Sequence, residues 1–595
     1  MADPAPRLVA DLLVERLQKW GVRRIFGYSG DGINTFMGAL RRAGDDPAFV
    51  QARHEESAAL MAVGHAKYTG SVGVVTSTQG PGAVHLLNGL YDAKLDHVPV
   101  VAIIGQQDTT VLGSEYQQEI DLQSLFKDVA AQFVQTVLSA EQAPMVVDRA
   151  FRTALATRSP CVVIVPHDVQ KGEAPEGTPH EHGVVPTTVA WPQPVVSPDP
   201  DALAQAAAVL NAGQRVAVLV GQGARNARPQ LEAVVERLGA GVTTSLLGKP
   251  WWDEGLPISC GVMGHLGTTA SGWLMDQCDT LLVVGSNDPW TEYYPAPGQA
   301  RAVQIDIDGR HLGNRYPIEV GLTGDAATTL EALLPLLDEH STQWQDQVEE
   351  RVAEWHAIGR ARADAALDPM TPELVVRQLS EFLPADAQVS VDVGSVVYWY
   401  ARHLRLPDGV QAHLSSTLAS MGSALPYGIA AKLEHPDRPV VALAGDGAMQ
   451  MNGVNELITV ASRWQDWADP RFVVLVLHNR ELAEVTWEQR EMEGEPRFDT
   501  SQSLPAFPYA AYADLLGLQG LRIAHPGDVP GAWDTALTAD RPVLIEAIVD
   551  PDVPLLPPFP AGEQKLDSFR QGLAAEGESG EHARRLLDEQ AAQEG

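Results

Sequence analysis

The stretch Val440-Val441-Ala442-Leu443-Ala444-Gly445-Asp446-Gly447-Ala448 decides how this chain is read. Its apolar run has the pattern of a strand buried on both faces, and it ends in a glycine-flanked aspartate. Glycines there let the backbone approach a bulky anion, and the carboxylate can hold a hard divalent cation that bridges to phosphate oxygens. A second apolar strand, Phe472 to Leu477, ends in His478-Asn479, whose amide would supply another oxygen ligand. A lone Gly-Asp-Gly is a common turn. Two buried-type strands ending in Asp446 and Asn479 point instead to a diphosphate anchored through Mg²⁺.

Near the N-terminus, Arg53-His54-Glu55-Glu56 opens an alanine-rich helix, followed by Gln79-Gly80-Pro81-Gly82-Ala83-Val84-His85-Leu86-Leu87-Asn88-Gly89-Leu90-Tyr91-Asp92-Ala93 and Asp96-His97-Val98-Pro99-Val100. Together with the Asp446–Asn479 region, these segments resemble the thiamine diphosphate enzymes of the pyruvate oxidase and acetolactate synthase superfamily, the pyruvate oxidases most closely. The resemblance runs from about residue 8 to about residue 550.

Composition is that of a globular enzyme, with 595 residues, 45% hydrophobic and 20% charged. The net charge of −35 would repel phosphate backbones and anionic lipid, so neither nucleic acid nor membrane is expected as a partner. No run approaches the ~20 apolar residues of a membrane helix. Met1 to Arg7 lacks the basic and apolar regions of a signal peptide. Cys161, Cys260 and Cys278 lie far apart and read as buried, reduced thiols of a cytoplasmic protein.

Strands alternating with amphipathic helices predict α/β architecture: three doubly wound domains with parallel sheets. The resemblance makes these a pyrimidine-binding domain over 1–185, a central FAD-type domain over 195–340 and a diphosphate-binding domain over 366–550. The tail, 551–595, is acidic and poor in apolar residues, which predicts a wrapping arm or partial disorder. In such sheets ligands bind at the carboxyl ends of strands, where Gly80-Pro81-Gly82 and Gly445-Asp446-Gly447 fall.

The resemblance implies roles for particular residues. Glu55 matches the glutamate that favours the imino tautomer of the aminopyrimidine ring; without the motif, a glutamate opening a helix would simply complement its dipole. Met421, in Ser420-Met421-Gly422, matches the apolar prop that holds the cofactor bent, although most methionines are plain core residues. Gly394 and Ser395 look like diphosphate donors, and Gly30, Pro81, Asn88, Gly422, Gly445, Gly447 and Ala448 complete the cofactor contacts. At the metal, Asp446 and Asn479 would bind by side chain and Glu481 through its carbonyl. In the central segment Gly221-Gln222-Gly223-Ala224-Arg225, Gly248-Lys249, Asn287 and Asp306 sit where the family touches FAD; a Gly-x-Gly turn alone is weak evidence, and the same domain persists in relatives without flavin.

Departures from the pattern bear on substrate. The family's Phe-Gln-Glu loop is here Tyr116-Gln117-Gln118-Glu119, which keeps Gln118 and Glu119 and replaces the phenylalanine by Gln117. After Asn479 the family usually has glycine and an apolar residue over the thiazolium; this chain has Ala483 and Glu484, with Glu488 at the family's acidic position. An unpaired buried carboxylate costs several kcal/mol. Either Glu484 faces solvent, or the substrate is more polar than pyruvate, or the loop is displaced.

The resulting expectation is a thiamine diphosphate- and Mg²⁺-dependent enzyme that decarboxylates a 2-keto acid and passes the electrons to FAD, with Glu55, Gln118, Glu484 and Glu488 as its catalytic side chains. The alternatives are an acetolactate synthase-like carboligase with structural or no FAD, and a catalytically decayed binding relative. The family builds each site from two subunits, which implies a homodimer or homotetramer.

Overall fold

Three six-stranded sheets carry the chain, and the longest apolar runs of the sequence form their central strands. The computed structural model describes residues 6–177 and 181–594. In the first sheet β1 (Arg24–Gly27), β2 (Ala48–Gln51), β3 (Gly73–Ser77), β4 (Val100–Gln106), β5 (Val134–Thr136) and β6 (Pro160–Pro166) are ordered β2-β1-β3-β4-β6-β5, with parallel pairing throughout. The second contains β7 (Val216–Val220), β8 (Gly241–Thr244), β9 (Ser259–Val262), β10 (Thr280–Val284), β11 (Arg301–Asp306) and β12 (Val320–Thr323) in the order β12-β11-β10-β7-β8-β9, again parallel. The third contains β13 (Gln388–Val391), β14 (Gln411–His413), β15 (Val440–Gly445), β16 (Phe472–His478), β17 (Gln519–Ile523) and β18 (Val543–Ile548), ordered β14-β13-β15-β16-β18-β17. Parallel strands need helical crossovers, and helices on both faces bury both sides of a central strand. Accordingly every residue of β3, β4, β6, β7, β10 and β16 is buried.

The chain divides into two compact units. One comprises residues up to Pro192 with His413–Ala442 and Ala448–Phe472, and the other Gln193–Ala412, Leu443–Gly447 and Val473 onward. In the first unit, helix Glu55–Thr69 starts at His54, whose ring nitrogen accepts the Glu56 amide at 3.1 Å, and ends at Gly70. Its residues Ser57 to Tyr68 are all buried, which is why the segment is alanine-rich and lacks an amphipathic stripe. Lys67, inside this helix, is satisfied by Asp96 at 2.6 Å and by the Leu414 carbonyl at 2.6 Å.

After the Gly80 turn the chain forms two helices, Pro81–His85 and Leu87–Leu95, which meet at Leu86. Of the two readings of the acidic tail, an arm or partial disorder, the arm stands: it is helical over Leu566–Ala575 and Glu581–Glu594. Its leucines and Phe569 are buried, Leu566, Leu573, Leu586 and Leu587 among them, and Phe569 packs edge-on to Trp487 of helix Ala483–Glu493. A bidentate ion pair between buried Arg490 and Glu576 (2.8 and 2.9 Å) ties the same two segments together. Among the described residues no helix is long and apolar enough to cross a membrane.

Candidate active site

Sequence-predicted residues of the first unit gather around the turn after β3. Glu55 begins its helix with a largely covered carboxylate, and its Oε2 lies 3.0 Å from His85 Nδ1. A Cβ on Gly82 would stand 3.3 Å from Glu55 Oε1, so the glycine leaves room for that carboxylate. Glu56 diverges from it, accepting from Asn88 Nδ2 at 2.8 Å, and the same amide donates to Ser420 Oγ at 2.6 Å. Gln118 reaches the turn from the other side: its Oε1 accepts from Gln79 Nε2 at 3.1 Å, and its Cβ stands 2.8 Å from where a side chain on Gly80 would begin. Glu119 instead braces its own loop, accepting the Gly113 and Tyr116 amides at 2.5 and 2.9 Å. Pro81 is the first residue of the following helix, and Gly30 packs on Thr78. Met421 is half-buried, unlike a core methionine, and Gly422 beside it backs onto Asn452.

In the second unit the carboxyl ends of β13, β15 and β16 carry the other set. Asp446 follows β15 and is buried; its Oδ2 accepts the Arg480 amide at 2.6 Å and its Oδ1 the Gly447 amide at 3.0 Å. His478, with Nε2 at 4.0 Å, is paired on its other nitrogen with Glu546 at 2.9 Å, and Tyr509 donates to the Asp446 carbonyl at 3.1 Å. Burial pushes Asp446 up to about 6, against the pull of the Arg480 amide and His478. A buried carboxylate with amide partners and no strong cation is a fitting ligand for a divalent ion. Asn479 is half-buried beside it; Arg480, at φ 62°, makes the sharp turn that follows. The Glu481 side chain is turned inward onto Thr486 Oγ1 (2.7 Å) and Arg497 (3.2 Å), which leaves its carbonyl as the candidate ligand.

A narrow cleft lined by Ser395, Trp399, Leu477, Asn479 and Ala483 runs along these strand ends. Gly394 has φ 123° and opens helix Ser395–His403, and a Cβ on either Gly394 or Gly445 would meet nothing within 4 Å. Two glycines that face open space beside a helix N-terminus form a cradle suited to phosphate oxygens. Ala448 is buried, and the chain beyond it makes a π-helical turn, Met449–Gly453.

Glu484 stands in the first turn of helix Ala483–Glu493. Solvent still reaches it, yet protein surrounds the carboxyl, and burial together with neighbouring Glu488 raises it to about 8. Glu488, one turn on, is raised by burial and by Glu491 and lowered by His265.

Sequence models of three thiamine pyrophosphate enzyme domains match in the expected order: the N-terminal TPP-binding domain over residues 7–125, the central domain over 203–333 and the C-terminal TPP-binding domain over 392–547. The putative thiamine pyrophosphate-containing protein YdaP of Bacillus subtilis is 33% identical over 573 residues, spanning 94% of this chain and 95% of that protein. The chain belongs to the thiamine pyrophosphate enzyme family. Within this family it is 32% identical to the pyruvate oxidase of Lactiplantibacillus plantarum, covering 95% of this chain and 92% of that one. It is also 32% identical to the acetolactate synthase isozyme 2 large subunit of Escherichia coli, covering 94% and 99%.

The central domain of this thiamine pyrophosphate enzyme treats its predicted flavin residues unequally. Gly221 and Gly223 pack against the turn at Gly285–Ser286, where a Cβ on either would come within 2.1 or 2.7 Å of backbone, and Gly248 abuts the Val220 carbonyl in the same way. Close packing of adjacent loops therefore explains these glycines. Lys249 has partners within the protein: its ammonium is buried in an ion pair with Glu254 and also reaches the Ala401 carbonyl at 3.3 Å. Arg225 stacks on Trp251, Asn287 accepts from Arg315 at 3.1 Å, and Asp306 ends β11 holding the Asp308 amide at 2.8 Å. At the carboxyl ends of β8 and β10, two buried hydroxyls, Thr244 Oγ1 and Ser286 Oγ, have no hydrogen-bond partner among the described residues. Orphaned polar atoms at strand ends fit a polar ligand such as a dinucleotide.

Sequence reasoning missed His265, Tyr398 and Glu491, which surround Glu484 and Glu488. His265 pairs with Glu491 at 3.2 Å and Glu491 with Lys565 at 2.5 Å. His265 and Tyr398 lie far from this helix in sequence and leave no local signal, and Glu491, on the helix itself, shows its role only through its pairing with His265.

Proposed function

We propose that this enzyme binds thiamine diphosphate through Mg²⁺ and decarboxylates a pyruvate-like 2-keto acid, with FAD as the electron acceptor. The observation that carries the first part is the buried Asp446 carboxylate, which has amide partners and faces an open glycine cradle. Asp446, Asn479 and the Glu481 carbonyl would hold Mg²⁺; Gly394, Ser395 and Gly445 would receive the diphosphate. When bound, thiamine diphosphate supplies a carbanion at C2 that adds to a carbonyl carbon and accepts the electrons released with CO₂. Glu55 would hold and return a proton at the aminopyrimidine ring, and His85 at 3.0 Å orients that carboxylate. Met421 would keep the two rings of the cofactor together. Gln118 is near enough to the same turn to hydrogen-bond a substrate carboxylate.

The orphaned Thr244 and Ser286 hydroxyls support FAD, held by Arg225, Asn287 and Asp306. Equal identity to an acetolactate synthase supports a second reading, carboligation with FAD structural or absent. The family plan, with the activating glutamate and the diphosphate segment of one site in two subunits, supports a cytoplasmic homodimer or homotetramer that engages neither nucleic acid nor membrane.

The absorbance spectrum of the purified protein is the test. A flavin band that bleaches anaerobically with one keto acid is expected. A flavin that never bleaches while two keto acids are joined would favour the carboligase, and no turnover of any keto acid despite tight cofactor binding would leave only a decayed relative.

A further inference from the structure

Economy of packing would not place Glu484 where it stands. It follows Ala483, which lines the cleft shared with Asn479 and Ser395, in the first turn of the helix that begins there. Among the described residues, no hydrogen bond or ion pair reaches its carboxyl; the one group acting on it is Glu488, a like charge. A buried polar group without a partner costs about 1–3 kcal/mol, and an apolar side chain of similar volume would carry no such penalty. The arrangement makes sense when the missing partner is a ligand.

The surrounding charges narrow the ligand. Glu488 lies one turn along the same helix face. Across from them His265 is already paired with Glu491 and Glu491 with Lys565, while the second nitrogen of His265 lies 3.3 Å from the Tyr293 hydroxyl. Arg402, which lies over the Tyr398 ring, donates to the carbonyls of Leu266, Gly267, His265 and Leu556 at 3.3, 3.0, 3.2 and 2.9 Å. Tyr398 contributes a buried ring whose hydroxyl is kept neutral by burial and by these same carboxylates. Lys565 and Arg402 are engaged, and two carboxyls of helix Ala483–Glu493 remain. A wall of this kind accepts a hydrogen-bond donor and rejects a methyl group.

We propose that Glu484, with Glu488, is the specificity wall of the substrate pocket and selects a 2-keto acid whose side chain carries a hydrogen-bond donor such as a hydroxyl. This rests on the 2-keto acid reading above and names its substrate class. The elevated Glu484 lets its carboxyl both give and accept a hydrogen bond near neutral pH. A site built around a substrate hydroxyl discriminates strongly against the isostere that lacks it, because its own polar groups are then left unpaired.

The test compares 3-hydroxypyruvate with 2-oxobutyrate, which differ in a hydroxyl against a methyl at equal size, and with pyruvate. Holoenzyme reconstituted with thiamine diphosphate and Mg²⁺ is assayed for CO₂ release, a readout common to oxidase and carboligase. The native enzyme is expected to favour 3-hydroxypyruvate over 2-oxobutyrate at least tenfold in kcat/KM. Glu484→Leu is expected to erase or invert that preference while pyruvate turnover rises. Should that variant fail to fold, Glu484→Gln, which keeps shape and some hydrogen bonding, is expected to lower the ratio at least threefold. Equal rates on the two isosteres, or a ratio unchanged by either substitution, would overturn the pocket proposal alone. Failure to decarboxylate any of the three compounds would overturn the 2-keto acid reading, and the pocket proposal with it.

Discussion

The same Glu484 makes a prediction about stability that needs no substrate. Its carboxyl is raised from 4.5 to about 8, chiefly by burial and then by Glu488, so the folded protein holds a proton that the unfolded chain gives up. For an acid shifted upward the sign is definite. Below about 4.5 both states are protonated and Glu484 contributes nothing; between there and about 8 stability falls as pH rises, and above it the full penalty is present. The shift alone corresponds to at most ~5 kcal/mol. Residual solvent access and sharing of the penalty with Glu488 reduce the expected effect to ~2–3 kcal/mol. Glu484→Gln removes this titration and little else. Urea unfolding of apo-enzyme and Glu484→Gln, followed at pH 5, 7 and 9, should give similar midpoints at pH 5 and a variant increasingly favoured toward pH 9. Parallel pH profiles for the two proteins would refute the buried, unpartnered carboxyl, and the substrate-pocket argument would lose its footing.

Four further outcomes are expected. Glu55→Gln should leave thiamine diphosphate affinity within a few fold and cut turnover by at least ~10², since an amide cannot hold and return the proton; near-native rates would remove Glu55 from its role. Asp446→Ala should weaken thiamine diphosphate binding in a way that added Mg²⁺ does not readily restore, as read by calorimetric titration; unchanged affinity after chelation would end the metal argument. Glu576→Ala leaves the buried Arg490 guanidinium unpaired and should destabilise the protein by ~3–5 kcal/mol, with earlier loss of helix Ala483–Glu493 in hydrogen exchange; a change below ~1 kcal/mol would mean that the tail is a loose appendage. Because the apolar residues of the tail are already buried, no sedimentation with anionic vesicles is expected, with or without substrate, and substrate-dependent co-sedimentation would contradict this.

What the sequence determined by itself is the set of elements whose signal is local. β15 and β16 are continuous apolar runs because both faces of a central parallel strand are buried, and their ends can be located by the polar residues Asp446 and His478 that interrupt them. The alternation of such runs with helices was enough for three α/β domains, and the Glu55 and Asp446 segments were enough for the family. Edge strands were not legible: β2, β5, β12 and β17 are short and partly exposed, so their pattern differs little from a loop and only pairing with an inner strand defines them. Tertiary structure alone decided which charges meet. Lys249, read as a ligand contact, meets Glu254 in a buried ion pair; the acidic tail, read as a wrapping arm or partial disorder, supplies Glu576 to Arg490. Glu484 had three open readings, and what the tertiary structure adds is that, among the described residues, His265, Glu491, Lys565 and Arg402 pair elsewhere. Periodicity follows from the solvent each residue faces, and so it is written along the chain. The partner of a buried charge comes from elements far apart in sequence and is settled only when those elements pack.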